Sequence, residues 1–527
     1  MIPMMVARFG LVALLLAAAS TRAQERPSEQ DMFGKPEGKP EKEEQTGDPS
    51  DLAPEENAQG PGAEGPRPEG PQAPPRQPAA AAEGGLKPEP GAEKRLLGQL
   101  FKTDDPLKIG GQLYLRSNLS AREHAPPSQW TLTVPSLTDV FLDVRPTNRV
   151  RGFVLGRMFF DPTLSSTATG LASGAATPNP QVLLDQLWLR FDLARTVFFS
   201  LGRQHVKWGA GHFWNPTDYL HPVKLDPLAP FDERTGIFLA RLDLPWERRG
   251  WNLYAIAAFE SLATQATSAF LTSVPAATGT SSTLAQPVRP SNTLGQVGGG
   301  ARAELVLGRW ELGADGIAQR GIRPRLGFDV SGPVGELDVR GELSLRTRSD
   351  VPLYRGTIAS FETYQPGGIR PAAVGAVEWS HRYADRETNV FTVGLEYFYN
   401  SNGYGYDERG LYPVLLANGA FVSFYVGRHY AGGYFRLASP GSWNLHTFLL
   451  SAIANLSDQS AVVRFDWSMT LLTYLTVEAY VQGHLGTDGG EFRLGIDLPK
   501  NAIGVGSPAM FVGTPIADCG LNVRVAL

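Results

Sequence analysis

The sequence is poor in the features that support a soluble enzyme or a helical membrane protein. Its 527 residues contain one cysteine, Cys519, which excludes a disulfide within a single chain. After the first two dozen residues, no apolar run approaches the roughly 18 residues of a membrane-spanning helix. The sequence also lacks a nucleophile elbow, a phosphate-binding glycine loop and paired cysteines. We therefore expect a protein that is not an enzyme and needs no cofactor.

A surplus of positive charge is missing as well. The formal net charge is −5, and from residue 96 onward the acidic and basic residues balance. A protein without a basic surplus has no electrostatic footprint for nucleic acid, so we expect no nucleic-acid partner. His205, His212 and His221 lie near one another in sequence, but their spacing matches no compact site and we expect no bound metal.

Residues 1–23 are typical of an export signal. Arg8 precedes an apolar run over residues 9–19, and Thr21-Arg22-Ala23 fits a signal-peptidase site. The run is too short to span a membrane as a helix. We predict a signal peptide that is cleaved after Ala23.

Residues 24–95 have a different composition, rich in Pro, Glu, Gly, Ala and Gln. They contain 16 acidic and 9 basic residues, and Phe33 is their one aromatic residue. Such a segment buries too little apolar surface to fold, so we predict a disordered periplasmic linker. Two roles remain open for it: a solvated spacer, or a tether for a periplasmic partner or the cell wall.

From residue 96 onward, apolar and polar residues alternate in one segment after another. In residues 336–348, Leu337 and Val339 fall on one face, whereas Asp338 and Arg340 fall on the other. A period of two residues is the signature of strands with two unlike faces.

The lengths of the connections distinguish a membrane barrel from a soluble sandwich. Every second connection is short, and most of those between are long, with exceptions near residues 321 and 456. Short periplasmic turns that alternate with long external loops are typical of outer-membrane barrels. We predict an all-β fold over residues 96–527, a transmembrane antiparallel β-barrel of about 18 strands (16–18). The predicted strands fall near 109–119, 137–145, 148–160, 181–193, 197–208, 235–244, 251–260, 294–307, 310–320, 323–331, 336–348, 372–383, 390–400, 428–438, 443–455, 460–471, 475–485 and 517–527.

The last predicted strand alternates up to Leu527. We expect it to pair with the first strand, because lipid tolerates no open sheet edge. It resembles the C-terminal recognition signal of Gram-negative outer-membrane proteins, which usually ends in an aromatic residue, most often Phe, whereas this chain ends in Leu. The resemblance implies a location in the outer membrane of a Gram-negative bacterium, with membrane lipid and the outer-membrane assembly machinery as partners.

The stretch "GRQHVKWGAGHFWNPTDYLHP", residues 202–222, contains a spaced pattern of GRQ, then WG, then NPTD. It resembles a motif found in a family of porin-like proteobacterial outer-membrane barrels, and residues 428–460 resemble a second patch of the same kind. The resemblance implies an outer-membrane channel of mostly undefined substrate, and some similar barrels belong to polysaccharide secretion systems. The matching residues are Gly202, Arg203, Gln204, Trp208, Gly209, Asn215, Pro216, Thr217 and Asp218.

In the predicted strand order, residues 209–234 join strands five and six. The loop at that place in general porins folds inward and narrows the pore. We therefore predict a constriction or lumen site in which acidic loop residues face arginines of the wall, since opposed charges select polar, oriented solutes. The candidates are Asp218, Asp226, Asp232 and Glu233 from the loop, Arg149, Arg151, Arg157 and Arg190 from strands three and four, and Arg203 from strand five.

Two functions fit these patterns. The first is a porin-like outer-membrane channel for polar solutes, including saccharides and a secreted polysaccharide. The second is a plugged barrel that anchors a cell-envelope machine through its linker and external loops. From residue 96 onward there are 32 Arg and 5 Lys. Arginine suits both structural pairing with carboxylates and the bidentate binding of anionic solutes, so both roles stay open.

Overall fold

The computed structural model describes residues 106–526 apart from several short gaps and three longer ones. The predicted signal peptide (1–23) and linker (24–95), together with Asp232 and Glu233, lie outside the described residues. The positions left out between 106 and 526 are 165–166, 170–175, 222–223, 225, 230–233, 261–293, 350–351, 359, 385, 387, 419 and 499–509.

Eighteen long strands form one closed antiparallel sheet, which confirms the predicted fold class. Each strand pairs with the next along the chain, as in a meander. The strands are β1 (Leu107–Arg122), β2 (Ser136–Thr147), β3 (Val150–Phe160), β4 (Gln181–Leu193), β5 (Val197–Gln204), β6 (Ile237–Trp246), β7 (Trp251–Ala258), β8 (Gly298–Leu307), β9 (Trp310–Gln319), β10 (Ile322–Val334), β11 (Leu337–Arg346), β12 (Arg370–Arg382), β13 (Val390–Asn400), β14 (His429–Ala438), β15 (His446–Asn455), β16 (Ser460–Leu471), β17 (Leu475–Gly486) and β18 (Pro515–Ala526).

The first and last strands close the barrel. Leu113 of β1 lies opposite Val525 of β18, and the antiparallel register continues through Leu115 and Val523 to Arg122. The predicted pairing of the terminal strand with the first strand is confirmed. Every described barrel strand therefore has two neighbours, which satisfies the backbone hydrogen bonds that lipid cannot.

The two faces of the wall differ as the alternation predicts. Apolar side chains such as Leu115 and Val481 point outward and are 46% and 59% exposed. Charged side chains such as Asp139, Arg157 and Glu342 point inward and are buried. An apolar exterior around a polar lumen is the arrangement of a barrel that stands in lipid.

The connections at the two ends of the barrel differ in length. At the end where β1 begins and β18 ends, the turns span two to seven residues, for example 148–149 and 335–336. Most connections at the other end are much longer, and the predicted short exceptions occur at 320–321 and 456–459. We assign the short-turn end to the periplasm and the other end to the exterior.

Short elements decorate the external end, and part of it has a hydrophobic core of its own. We call residues 352–364, 401–428 and 487–498 the external cap. Leu353, Leu411 and Tyr412 belong to the buried cluster that holds it together. Among the described residues, no helix is both long and apolar enough to cross a membrane. The short elements of the external end are the strands Thr131–Thr133, Thr167–Thr169, Ala176–Pro178, Leu353–Thr357, Ser360–Tyr364, Ile496–Leu498 and Met510–Val512, the α-helix Tyr412–Ala417, and 3-10 turns at Pro127–Gln129, Leu294–Gln296, Tyr406–Leu411 and Glu491–Arg493. A further 3-10 turn, Glu247–Arg249, lies at the periplasmic end between β6 and β7.

Candidate functional site in the barrel lumen

Between β5 and β6 the chain turns into the barrel, and we call residues 205–236 the inner loop. β5 ends at Gln204, four residues earlier than predicted. Gly202, two residues before the end of β5, has a φ of 123°, and an added Cβ there would lie 2.1 Å from the carbonyl oxygen of Leu187 on the neighbouring strand. Glycine is needed there because other residues avoid this backbone region and have no room.

Glu342 of β11 holds the first half of the inner loop. Its Oε1 accepts hydrogen bonds from the backbone N–H groups of Ala210 and Gly211, both at 2.6 Å. Its Oε2 accepts a hydrogen bond from Thr217 Oγ1 at 2.8 Å. Gly209 has a φ of 85°, and an added Cβ there would lie 2.6 Å from Glu342 Oε1. The WG and NPTD parts of the motif therefore wrap one buried carboxylate.

Glu396 of β13 holds the tip of the inner loop in the same way. It accepts hydrogen bonds from the backbone N–H groups of His212 at 2.7 Å and Trp214 at 2.7 Å, and from that of Phe213 at 3.1 Å. The Phe213 ring lies over Gly432 of β14, where an added Cβ would be 2.6 Å from the ring. The loop thus crosses the lumen and is fastened to the opposite wall.

The two ends of the inner loop are held by a row of connected charged side chains on β2, β3 and β4. Asp185 accepts a hydrogen bond from Gly236 N–H at 3.1 Å, and lies 3.3 Å from His205 Nε2. Arg157 lies 3.5 Å from Asp185 and donates to Asp139 at 2.7 Å. All three wall residues are buried, so they support the loop from behind.

Asp218 is fully buried within the inner loop and does not face open lumen. It accepts a hydrogen bond from the His221 N–H at 3.1 Å and lies 3.4 Å from Arg234 Nη1. Burial raises the pKa of Asp218 to about 7, although Arg234 opposes that shift. Its role is to brace the loop internally.

Asp226 is the described acidic loop residue that meets an arginine of the wall. Its side chain is 42% exposed and lies 3.2 Å from Arg464 of β16. Arg464 also pairs with Asp466 at 2.9 Å, and its guanidinium lies 4.0 Å from the centre of the Tyr480 ring. We expected the acidic loop residues to face arginines of strands three and four. Asp226 instead faces β16, because the inner loop crosses the lumen and is anchored on the far wall.

Four polar residues stand at one level across β3 to β6, and we call three of them, Arg151, Arg190 and Arg241, the arginine row. Arg151 lies opposite Arg190, Arg190 opposite Ser200, and Ser200 opposite Arg241. The row faces the periplasmic half of the lumen. Like charges placed directly opposite one another in a sheet are unfavourable, so the row is electrostatically costly to build.

Arg190 differs from its neighbours in the row. Arg151 pairs with Asp143 at 2.9 Å, and Arg241 pairs with Asp243 at 2.5 Å. No carboxylate of the described residues lies within 4.0 Å of the Arg190 guanidinium. Asp243 acts on Arg190 only from beyond that distance, so the three guanidinium groups of the row stand beside two carboxylates, those of Asp143 and Asp243, and the row keeps an excess of positive charge.

Three aromatic rings stand beside the row, and we call Phe141, Phe153 and Trp188 the aromatic file. The ring centres of Phe141 and Phe153 are 5.8 Å apart, and those of Phe153 and Trp188 are 5.4 Å apart, with 24° between planes in both pairs. All three are half-buried on the lumen face of β2, β3 and β4. The Arg151 guanidinium lies 5.4 Å from the Trp188 ring, which joins the file to the row.

Two other predicted site residues lie away from the inner-loop contacts. Arg149 lies in the turn before β3, is 51% exposed and pairs with Asp192 at 3.1 Å. It is outside the strand because β3 begins one residue later. Arg203 pairs with Glu260 at 2.6 Å, at the external end of β7.

Sequence reasoning missed Glu342, Glu396, Arg241 and the aromatic file. Glu342 lies on the polar face of the segment 336–348, which identifies it as a lumen residue. Nothing local indicates that its partners are backbone N–H groups more than a hundred residues away. The signal available in sequence was a pair of glycines, Gly209 of the motif and Gly211 two residues later, because each occupies a place that a side chain cannot.

The three histidines of the inner loop do not gather into one site. The rings of His205 and His221 stack at 5.6 Å, whereas His212 stacks on Tyr434 at 4.2 Å. Within the part of the chain that the structure describes, no group of three or more His, Cys, Asp or Glu residues is placed to hold a metal.

Neither a protein-family model nor a curated protein matches the sequence. Among solved structures the chain is similar to OccAB1 of Acinetobacter baumannii, with 11% identity, a TM-score of 0.45, and coverage of 80% of this chain and 97% of that one. It is similar to OpdK of Pseudomonas aeruginosa crystallised with vanillate (12% identity, TM-score 0.44, 80% and 98% covered). It is also similar to a BenF-like porin from Pseudomonas fluorescens Pf-5 (12% identity, TM-score 0.43, 80% and 98% covered).

A closed barrel of eighteen antiparallel strands, with an apolar exterior and short turns at one end, is the architecture of outer-membrane proteins. The chain is an outer-membrane β-barrel of a Gram-negative bacterium.

Proposed function

We propose that this chain is a porin-like outer-membrane channel that passes polar solutes and favours anions. The observation that carries the proposal is the arginine row, in which Arg190 has no described carboxylate partner while the guanidinium groups of Arg151 and Arg241 stand beside it. A fold that only needed a stable wall would avoid like charges at one level. A passing anion supplies the missing counter-charge.

The surroundings of Arg190 favour a transient ligand over permanent pairing. Its guanidinium packs on the face of Phe198 at 5.5 Å, which leaves the planar fork of donors for another partner. Such a fork matches carboxylate or phosphate groups in two-point contact. The solute we expect therefore carries one of these groups.

Saccharides are the polar solutes that the aromatic file supports. Ring faces offer a flat apolar surface, on which the C–H face of a pyranose packs while its hydroxyl groups bond to neighbouring polar groups. Phe153 and Trp188 stand directly beside Arg151, so one sugar ring and one acidic substituent are matched by adjacent surfaces. Acidic saccharides, including segments of a secreted acidic polysaccharide, therefore match both the aromatic file and the arginine row.

A plugged anchoring barrel is the second candidate, and the inner loop favours it. Trp208, Trp214 and Tyr219 are buried inside the barrel, and the Trp214 indole donates to the carbonyl of Phe424 in the external cap at 2.9 Å. In this alternative the inner loop closes the lumen, and the barrel serves as an anchor whose interactions are made by the linker of residues 24–95 and by the external loops.

Single-channel recording of the purified full chain in a planar bilayer under a salt gradient tests the proposal. We expect steady open steps, a reversal potential on the anion side, and concentration-dependent block by an acidic oligosaccharide such as oligogalacturonate. The neutral oligosaccharide of equal length is the control and should block more weakly. Absence of steps from demonstrably folded protein would reject the channel and support the plugged barrel.

A further inference from the structure

Two neighbouring periplasmic turns carry arginines that the lumen does not use. The β6–β7 turn contains Arg248 and Arg249, and the β8–β9 turn contains Arg309. All three are exposed. They therefore belong to the rim of the barrel and not to its channel.

Arg249 stands at the boundary between membrane and periplasm. Its guanidinium lies 5.6 Å from the Trp246 ring and 5.0 Å from the Trp251 ring. Trp246 lies opposite Trp251 and shares the outward face of β6 with Leu244, which is exposed like Trp246 itself. Outward tryptophans at strand ends mark the level of lipid headgroups, so Arg249 is held at that level.

The two turns form one surface. The Trp251 indole donates a hydrogen bond to the carbonyl of Val306 at 3.4 Å, and an added Cβ on Gly250 would lie 3.4 Å from the Val306 side chain. Val306 precedes Arg309 by three residues, and Trp310 follows it at the start of β9. Arg309 thus stands on the turn next to Arg249.

Within the part of the chain that the structure describes, the arginines of this surface form no ion pair. No carboxylate of the described residues lies within 4.0 Å of the guanidinium groups of Arg248, Arg249 or Arg309. Glu247 is the one acidic residue on the two turns. By contrast, Arg149 on the β2–β3 turn is paired with a carboxylate.

We propose that this rim surface, formed by Arg248, Arg249 and Arg309 between outward tryptophans, binds the headgroup of an anionic phospholipid of the periplasmic leaflet. Each guanidinium group matches the single negative charge of a phosphodiester, and neighbouring guanidinium groups together match a headgroup that carries two phosphodiesters. The outward leucines beside the turns, Leu253 and Leu307, are exposed along the path that the acyl chains would take. The proposal is independent of what passes through the lumen.

Native mass spectrometry of the full chain, released from detergent with added lipid, tests this site. We expect cardiolipin and phosphatidylglycerol to stay bound where phosphatidylcholine is lost. Replacing Arg248, Arg249 and Arg309 together with Gln should weaken anionic lipid binding on the order of a hundredfold, since each interfacial arginine contributes about fivefold. Inorganic phosphate at the same concentration should not displace the lipid.

Arg386→Gln is the matched control. Arg386 lies on a periplasmic turn in another sector of the barrel, and its guanidinium donates to the Asn444 side chain. The control should retain the lipid as the unmodified chain does. Equal loss in the control, equal retention of phosphatidylcholine, or displacement by inorganic phosphate would each overturn the proposal. If the triple variant does not fold, the single variant Arg309→Gln tests the site instead, and its affinity for anionic lipid should fall about fivefold.

Discussion

Arg190 is a lumen arginine whose removal breaks no ion pair among the described residues. The substitution Arg190→Gln keeps a polar side chain and removes one positive charge from the arginine row. We expect the anion-to-cation permeability ratio to fall about fivefold, because one unit charge about 4 Å from an ion in a water-filled lumen is worth roughly 1 kcal/mol. The measurement is the reversal potential under a potassium chloride gradient.

Arg149→Gln supplies the comparison for Arg190. Arg149 lies in a periplasmic turn and is already neutralised by Asp192. Its replacement should leave the reversal potential within experimental error of the unmodified chain. Equal shifts in the two variants would show that the selectivity follows total charge and not the arginine row.

Among the structural elements, the inner loop is held in place by carboxylates of the wall that accept hydrogen bonds from its backbone N–H groups. In Glu396→Gln the charged acceptor of three N–H groups becomes neutral, and half of it becomes a donor. We expect amide hydrogen exchange of residues 212–214 to speed up about tenfold to a hundredfold, since hydrogen bonds to charged groups contribute roughly 1.5–3 kcal/mol. Glu304→Gln is the control, because Glu304 pairs with Arg302 of the wall. Unchanged exchange in Glu396→Gln would reject the anchor.

The external cap is held by a second pair of carboxyl groups. Glu491 N–H donates to Asp458 at 2.7 Å, and Asn455 donates to both side chains, at 2.8 and 2.9 Å. Tyr430 OH donates to Glu491 at 2.7 Å, and the backbone N–H of Phe424 donates to it as well. Both carboxyl groups are buried and share the Asn455 side chain as a donor, so ionisation of both would place two negative charges close together away from water.

The stability of the cap should therefore fall as the pH rises. Burial first, and Asp458 second, raise the pKa of Glu491 from 4.5 to about 8. A raised carboxyl pKa means that the folded cap binds its proton more tightly than the open cap. The free energy of cap opening is thus highest below pH 4.5, falls by up to about 1.4 kcal/mol per pH unit up to pH 8, and is flat above it. Hydrogen exchange of residues 401–428, corrected for intrinsic rates, measures this dependence.

Glu491→Gln isolates that proton. The amide keeps an oxygen acceptor and cannot ionise, so the pH dependence between 4.5 and 8 should disappear. A pH dependence that persists in this variant would assign it to another group.

The strands were predictable from the sequence because alternation is a local property. The predicted strand 181–193 coincides with β4, and the predicted 310–320 differs from β9 by one residue. The ends of β5 and the anchors of the inner loop were not predictable, since they depend on Gly202 meeting Leu187 and on Glu342 meeting a distant backbone. The alternation along a strand predicts which face a residue lies on, but it does not predict which residue that side chain contacts across the lumen.

For the whole molecule, the closed wall makes each position either a lipid position or a lumen position. Leu115 and Gln112 lie on the same strand, three residues apart and on opposite faces. Leu115 is exposed to the outside near the middle of β1, whereas Gln112 donates to Asp139 in the lumen at 2.8 Å. The same substitution at the two positions therefore compares the two environments within one strand.

Leu115→Arg should lower the free energy of unfolding by about 2–4 kcal/mol, because a guanidinium near the middle of the bilayer loses its hydration. Gln112→Arg should cost less than about 1 kcal/mol, because the lumen offers water and the carboxylate of Asp139. Urea unfolding in lipid vesicles, followed by tryptophan fluorescence, measures both. Leu115→Arg should destabilise the barrel more than Gln112→Arg only if Leu115 faces lipid and Gln112 faces the lumen. Equal losses for the two variants would therefore contradict the assignment of the two faces, and with it the placement of the arginine row inside the barrel.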